Sequence, residues 1–295
     1  MQSSLQLRRQ DQVHISSPNG GEGLKSWNID NPWAGAYTKT FMRDSRGSMD
    51  LHSNAASEKP YTVLSKLVAE FIGVLFFVFI GSMSGLKSSD ENVTTHAAFA
   101  HGLTIFVMVA SLGHISGGHF NPAVTVSVTC AGKLHPILAI PYVIAQLLGG
   151  FVGALLVRAA TSQTEYDSIG GGATLLAKGD LWHQGLIVEV ILTAILTQAV
   201  LNTAVDTSDN MLAPLAIGMS VALDVFGAGS ISGASMNPAR SLGPCAAAAL
   251  FGTGQDKSIL WKYHYIYWAG PIGGAIVSAI TYRLLFARGH TRLLP

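Results

Sequence analysis

Two short segments carry the residues that could act on a small molecule: HISGGHFNPAV at 114–124 and SISGASMNPAR at 230–240. Set 116 residues apart, they agree at six of nine positions: Ile115/Ile231, Ser116/Ser232, Gly117/Gly233, Asn121/Asn237, Pro122/Pro238 and Ala123/Ala239. Proline suits the first position of a helix and asparagine directly before it is a favourable cap, so each triplet predicts a helix start. Such a start offers side-chain amide donors and the positive end of a helix dipole, which can orient a polar molecule without reacting with it. Arg240 follows the second triplet inside an apolar run, where a cation is costly and marks a functional place. The sequence shows neither a nucleophile with a positioned base nor a cluster of metal ligands, so recognition is expected, with no catalysis and no cofactor.

Composition says what must position these groups. Only 12% of the 295 residues are charged, and thirteen of those charges fall in the first 60 residues, leaving 22 for the rest. A hydrophobic fraction of 49%, 32 glycines and a mean hydropathy of +0.38 point to an integral membrane protein of closely packed helices and exclude a soluble enzyme. Net charge +1 offers no surface for nucleic acid. Cys130 and Cys245, 115 residues apart in apolar sequence, read as packing residues.

Residues 1–60 read as a disordered polar tail; their acids (Asp11, Glu22, Asp30, Asp44, Asp50 and Glu58) are wrong for a transit peptide. A membrane domain is expected over 61–288, with a first repeat over about 61–160 and a second over about 180–288, followed by a short tail at 289–295. Within it six apolar runs, near 64–86, 95–115, 136–160, 183–203, 211–229 and 263–286, are each long enough to cross a bilayer. The apolar pieces at 121–131 and 237–250 are too short to cross and predict re-entrant half-helices. Three crossings separate corresponding points, so the second half is inverted relative to the first and the two helix starts meet near the midplane. The expected fold is an all-α membrane protein of six spans and two half-helices. Seven Lys and Arg in the first 60 residues, with Arg283, Arg288 and Arg292 at the end, put both termini in the cytoplasm. The sequon Asn92-Val93-Thr94 then faces outward as a possible glycosylation site, and the aromatic cluster from Trp261 to Trp268 reads as an interfacial belt.

Glu70 and Glu189 sit at corresponding places in the first and fourth spans, and the irregular loops before the half-helices hold unpaired N–H groups that such carboxylates could accept from. They are read as loop supports. Asp224 is read as facing a neighbouring helix, without an assigned role, and Gly149, Gly150, Gly153, Gly270, Gly273 and Gly274 as close helix contacts.

With AEFIG at 69–73, AQLLGG at 145–150 and YWAGPIGGA at 267–275, these motifs resemble the aquaporin, or major intrinsic protein, family over about residues 61–295. The resemblance implies a homotetramer in the lipid bilayer with one pore per subunit, passing water and small neutral solutes. It implies a narrow outer constriction walled by Arg240, by His101 twenty residues before Asn121, and by Val225 and Ala234 twelve and three before Asn237. Strict water channels of the family resemble one another in a bulky aromatic at the position of His101 and a His at that of Val225, so this constriction is expected to be wider. Ser241 stands where glycerol-conducting members usually carry Asp. The combination is similar to the aquaporin-8-type and plant vacuolar branches, associated with ammonia and hydrogen peroxide as well as water. Val225 and Ala234 stand where that group more often has Ile and Gly, which leaves the aperture and urea open. A glycerol or urea facilitator and a proton-coupled transporter are the rival readings; the plasma membrane is the expected residence, with internal and mitochondrial membranes as alternatives.

Overall fold

In lipid a spanning segment must satisfy its own backbone, so apolar runs of this length form helices. The computed structural model describes residues 60–86, 93–207, 210–254, 256–288 and 292–294. Asn92 and residues 1–59 lie outside the described residues. The first half comprises α1 (Val63–Met83), α2 (Val93–Ser116), a short α3 (Pro122–Cys130) and α4 (Pro136–Ala160). A connection containing α5 (Gln163–Ser168) and a 3-10 turn at Gly170–Gly172 leads to the second half: α6 (Trp182–Val200), α7 (Ala213–Ser232), a short α8 (Pro238–Phe251), α9 (Lys257–Lys262) and α10 (Ile266–Thr281). Among the described residues, six segments are long and apolar enough to cross a membrane: α1, α2, α4, α6 with its extension, α7, and the stretch from α9 to Phe286.

Packing follows the repeat. α1 lies on α4 as α6 lies on α10, α2 meets α7 between the halves, and each half-helix packs on the last span of the other half, α3 on α10 and α8 on α4. Backbone contact makes these crossings close. A Cβ at Gly149 would strike the Phe71 carbonyl, and one at Gly274 the Val190 carbonyl, the equivalent pair in the second half. Gly153, Gly150 and Gly270 are equally confined, whereas Gly273 meets only the Val190 side chain at ordinary contact distance. Gly102 and Gly218, themselves 116 residues apart, face one another, each leaving room for the other's carbonyl. The pseudo-twofold axis therefore runs through the α2–α7 crossing.

Two element ends differ from the apolar runs. α6 and α10 each continue as a π-helical turn, Leu201–Val205 and Tyr282–Phe286, and Tyr282 Oη donates to Asp206 Oδ1 at 3.0 Å while Arg288 Nε pairs with Asp206 Oδ2 at 2.9 Å. The aromatic cluster straddles a break, because α9 stops at Lys262 and Tyr263 leaves helical geometry before α10 begins.

Gly102→Val and Gly218→Val are each expected to destabilise the bundle by about 1–3 kcal/mol or more, as overpacking does. Because both changes remove the same close approach, the double variant should lose less than the sum of the singles in thermal unfolding in detergent; strict additivity would contradict a shared contact.

Candidate functional site at the meeting of the half-helices

The chain between α2 and α3 turns back through left-handed residues: Gly117 (φ 97°), Gly118 (φ 62°) and Phe120 (φ 49°). The equivalent stretch between α7 and α8 does the same at Gly233 (φ 80°), Ala234 (φ 44°) and Met236 (φ 54°). For non-glycine residues this conformation costs on the order of 1–3 kcal/mol each and persists only where the surroundings hold it. Two fully buried carboxylates do the holding. Glu70 Oε1 accepts from Ser116 Oγ (2.6 Å) and the His119 amide (3.0 Å), and Oε2 from the Phe120 amide (2.6 Å) and Gln146 Nε2 (2.7 Å). Glu189 Oε1 accepts from Ser232 Oγ (2.7 Å) and the Ser235 amide (2.8 Å), and Oε2 from the Met236 amide (2.7 Å). Hydrogen bonds to a charged group contribute roughly 1.5–3 kcal/mol each, enough for three or four to offset both the strain and the burial. Tyr142 and Tyr267 complete the match by donating to the Ser116 and Ser232 carbonyls at 2.7 and 2.8 Å.

Held this way, the two helix starts touch. Asn121 caps α3, its Oδ1 accepting from the Ala123 amide at 2.8 Å, while Nδ2 donates across the axis to the Met236 carbonyl at 2.8 Å. Asn237 caps α8 by accepting from Ala239 (2.9 Å) and Arg240 (3.2 Å), and Nδ2 donates to the Phe120 carbonyl at 2.9 Å. One hydrogen of each amide is thus committed to the opposite loop and the second is left over. Pro122, Ala123, Pro238 and Ala239 are buried in the first turns of the two half-helices. Beside the asparagines runs a cavity of only about 20 Å3, with Phe77, Ile105, His119, Ile217 and Val221 among its walls. A water needs roughly 10–15 Å3 of such space, so this cavity has room for about one water at a time.

Arg240 is held against the connection that precedes α6. Its Nη1 donates to the Gly172 carbonyl (3.0 Å) and Thr174 Oγ1 (2.6 Å), and Nη2 lies 3.3 Å from His101 Nε2. His101 Nδ1 is 2.7 Å from the Ala97 carbonyl, so that nitrogen carries the proton and Nε2 accepts from the guanidinium. A side chain at Gly81 would collide with this ring. The structure therefore brings His101 and Arg240 into contact; Val225 on α7 and Ala234 in the second loop are buried in the apolar core. Asp224 is buried on α7, and neither of its carboxyl oxygens has a hydrogen-bond partner. Cys245 is buried with Sγ 3.1 Å from the Leu260 carbonyl, and Cys130 is exposed. Gly172 and Thr174 are missing from the sequence-based set, since only three consecutive glycines mark that connection. His119 and Ser235 are missing too, although both are polar and lie 116 residues apart; they bond to Thr125 Oγ1 (3.1 Å) and Ser241 Oγ (2.5 Å), themselves equivalent.

The major intrinsic protein family model matches residues 57–282, well over half of the chain. The chain belongs to that family. Family membership makes it an integral, multi-pass membrane channel for water and small solutes, and not an enzyme. It is 39% identical to aquaporin-8 of Mus musculus over 229 residues, covering 77% of this chain and 84% of that protein. It is 38% identical over 239 residues to a probable aquaporin TIP1-2 of Oryza sativa subsp. japonica, covering 77% and 89%. The solved aquaglyceroporin of Plasmodium falciparum matches with a TM-score of 0.66 at 21% identity, over 75% of this chain and 96% of that one, which shows the shared fold.

Exchange of either loop carboxylate for its amide is expected to cost about 1–3 kcal/mol, because one backbone N–H loses its acceptor. Gln146 can turn its amide to accept from a new donor at position 70, whereas Pro271 occupies the equivalent place in α10, 125 residues on. Glu189→Gln should therefore lower the thermal midpoint and water permeability more than Glu70→Gln; the reverse order would contradict the hydrogen-bond count. The connection that bears Gly172 and Thr174 is tied to the end of α8 by Asp167, which accepts from the Thr253 hydroxyl (2.6 Å) and amide (3.1 Å) and from Gln163 Nε2 (3.1 Å). Those bonds hold its carboxyl down to about 2 from an ordinary 3.8. A lowered acid contributes stability above its unfolded value and loses it only as pH falls through the folded one. Protection of the Thr253 amide, corrected for intrinsic exchange, should stay level from pH 7 to 4, and loss by pH 4 would disprove the tie.

Proposed function

We propose that the chain is a passive channel for water, ammonia and hydrogen peroxide that excludes protons and ions. The observation that carries this reading is the reciprocal bonding of Asn121 and Asn237 across the midplane, since it leaves each amide one N–H for a passing oxygen. A molecule gripped from both sides points its own hydrogens outward, which interrupts a proton wire through the file. Two helix N-termini aimed at the same point and the Arg240 cation oppose hydronium and ammonium.

Solute choice is assigned to His101, Val225, Ala234 and Arg240. Small apolar groups at 225 and 234 and an imidazole at 101, already bonded at both nitrogens, make a filter that is neutral on three sides and offers donors from the fourth. Ammonia and peroxide, close to water in size and able to accept from a guanidinium, suit it. Glycerol and urea channelling is the second reading, and Ser241, buried and bonded to Ser235, lacks the carboxylate that glycerol-conducting relatives place there. Each subunit of a homotetramer is assigned its own pore, within a channel domain at 61–288. Both termini are placed in the cytoplasm, with the Arg240 mouth outside and the plasma membrane as residence.

His101→Phe is expected to reduce ammonia flux relative to water flux, and Arg240→Ala to admit larger solutes. Stopped-flow measurement of water, ammonia, peroxide, urea and glycerol in one proteoliposome preparation checks both, and unchanged ratios in both variants would remove the filter assignment. Accumulation of solute against its gradient under an imposed pH difference would instead establish a coupled transporter.

A further inference from the structure

The cavity beside the asparagines has one oxidisable residue in its wall. Met236 lines it, whereas Phe120, which holds the matching place before Asn121, does not. The Phe120 ring is turned away against α1, where it fills the space that a Cβ at Gly73 would need. At the offset that relates Glu70 to Glu189, Gly73 corresponds to Leu192 of α6, and a leucine offers no such recess. Met236 is about as little exposed as Asn237 and Val221, which line the same space. Its backbone is fixed on both sides: the amide donates to Glu189 Oε2 at 2.7 Å and the carbonyl accepts from Asn121 Nδ2 at 2.8 Å. A change in the side chain therefore cannot be relieved by moving the loop.

Among the described residues the other sulfur atoms lie elsewhere. Cys245 of α8 is turned to the Leu260 carbonyl, Cys130 is exposed at the end of α3, and Met83, Met108, Met211 and Met219 are not walls of this cavity. A thioether, unlike a thiol, needs no ionisation before it reacts with peroxide.

We propose that Met236 is a site of oxidation by hydrogen peroxide passing between the half-helices, and that the sulfoxide so formed closes the passage. This inference rests on peroxide being a conducted solute, as assigned above. A sulfur lone pair attacks one peroxide oxygen, the O–O bond breaks as the S–O bond forms, and the departing hydroxide takes the proton of the transferred oxygen and leaves as water. Sulfur gives up two electrons and peroxide gains them. The product carries one more oxygen into a cavity of about 20 Å3, which has room for about one water. It also turns an apolar wall into a polar acceptor one residue from Asn237, competing for the amide hydrogen that a passing oxygen would meet.

Full-length protein in proteoliposomes, wild type and Met236→Leu, is treated with millimolar hydrogen peroxide and in parallel with chloramine-T, an aromatic oxidant too wide for a space that holds one water. Peptide mass spectrometry reads oxygen gain at each methionine, and stopped-flow shrinkage reads water permeability. Met211 and Met219, both exposed, should be oxidised by either reagent. Met236 should be oxidised by peroxide alone, with wild-type permeability lost in proportion to its oxidised fraction. Met236→Leu, a swap that packed cores tolerate, should keep its own starting permeability through the treatment. Both proteins carry Cys130 and Cys245, so thiol oxidation affects them alike, and the wild-type proportionality is read whether or not the variant conducts. Oxidation of Met236 without loss of permeability, or an equal loss in Met236→Leu, overturns the closure. Equal oxidation of Met236 by chloramine-T overturns the route through the passage. An entrapped peroxide-sensitive dye separates two further failures: peroxide entry with Met236 intact overturns this inference alone, and no peroxide entry overturns it together with the peroxide reading.

Discussion

Near the centre of the bundle, Glu70 and Glu189 each accept hydrogen bonds from the backbone of a loop that would otherwise have no reason to hold its shape. The dependence is mutual. A carboxylate in an apolar interior needs several donors, and a run of left-handed residues turns successive amides to one side where nothing but such an acceptor could meet them. From that exchange follow the direction of α3 and α8, the touching of their first turns, and the orientation of both asparagine amides.

The two halves share a backbone plan and differ in the side chains hung on it. At the 116-residue offset, His101 corresponds to Ile217, Arg240 to Val124, Val225 to Val109 and Ala234 to Gly118. The polar pair His101 and Arg240 at one end of the bundle is therefore matched by the apolar pair Ile217 and Val124 at the other. The anchors differ too, with four donors to Glu70 and three to Glu189. Symmetry fixes where the parts sit, and local exceptions to it set the chemical character of each end.

Much of this was legible before any coordinates. Apolar length marks the spans because lipid leaves a helix few alternatives, and the Asn-Pro-Ala triplets announce themselves through cap chemistry and through repetition. Glu70 and Glu189 stand out because acids are rare in such runs. The extensions at Leu201–Val205 and Tyr282–Phe286 do not, since a change in backbone pitch leaves hydropathy unaltered. Nor do Gly172 and Thr174, which reach Arg240 across 68 and 66 residues, one of them through a carbonyl that every residue possesses. Gly102 and Gly218 were hidden for a related reason: their meeting depends on how two helices cross, which no single segment encodes.

Each anchoring carboxylate precedes, by some 46–50 residues in one half and 43–47 in the other, the loop that it fastens. A ribosome feeding the chain into a membrane thus delivers the acceptor first and its donors later, in both halves alike. The re-entrant segment finds its mooring already laid when it emerges, and the half-threaded chain has a reason to fold back where a continuous apolar run would have pushed on through the lipid.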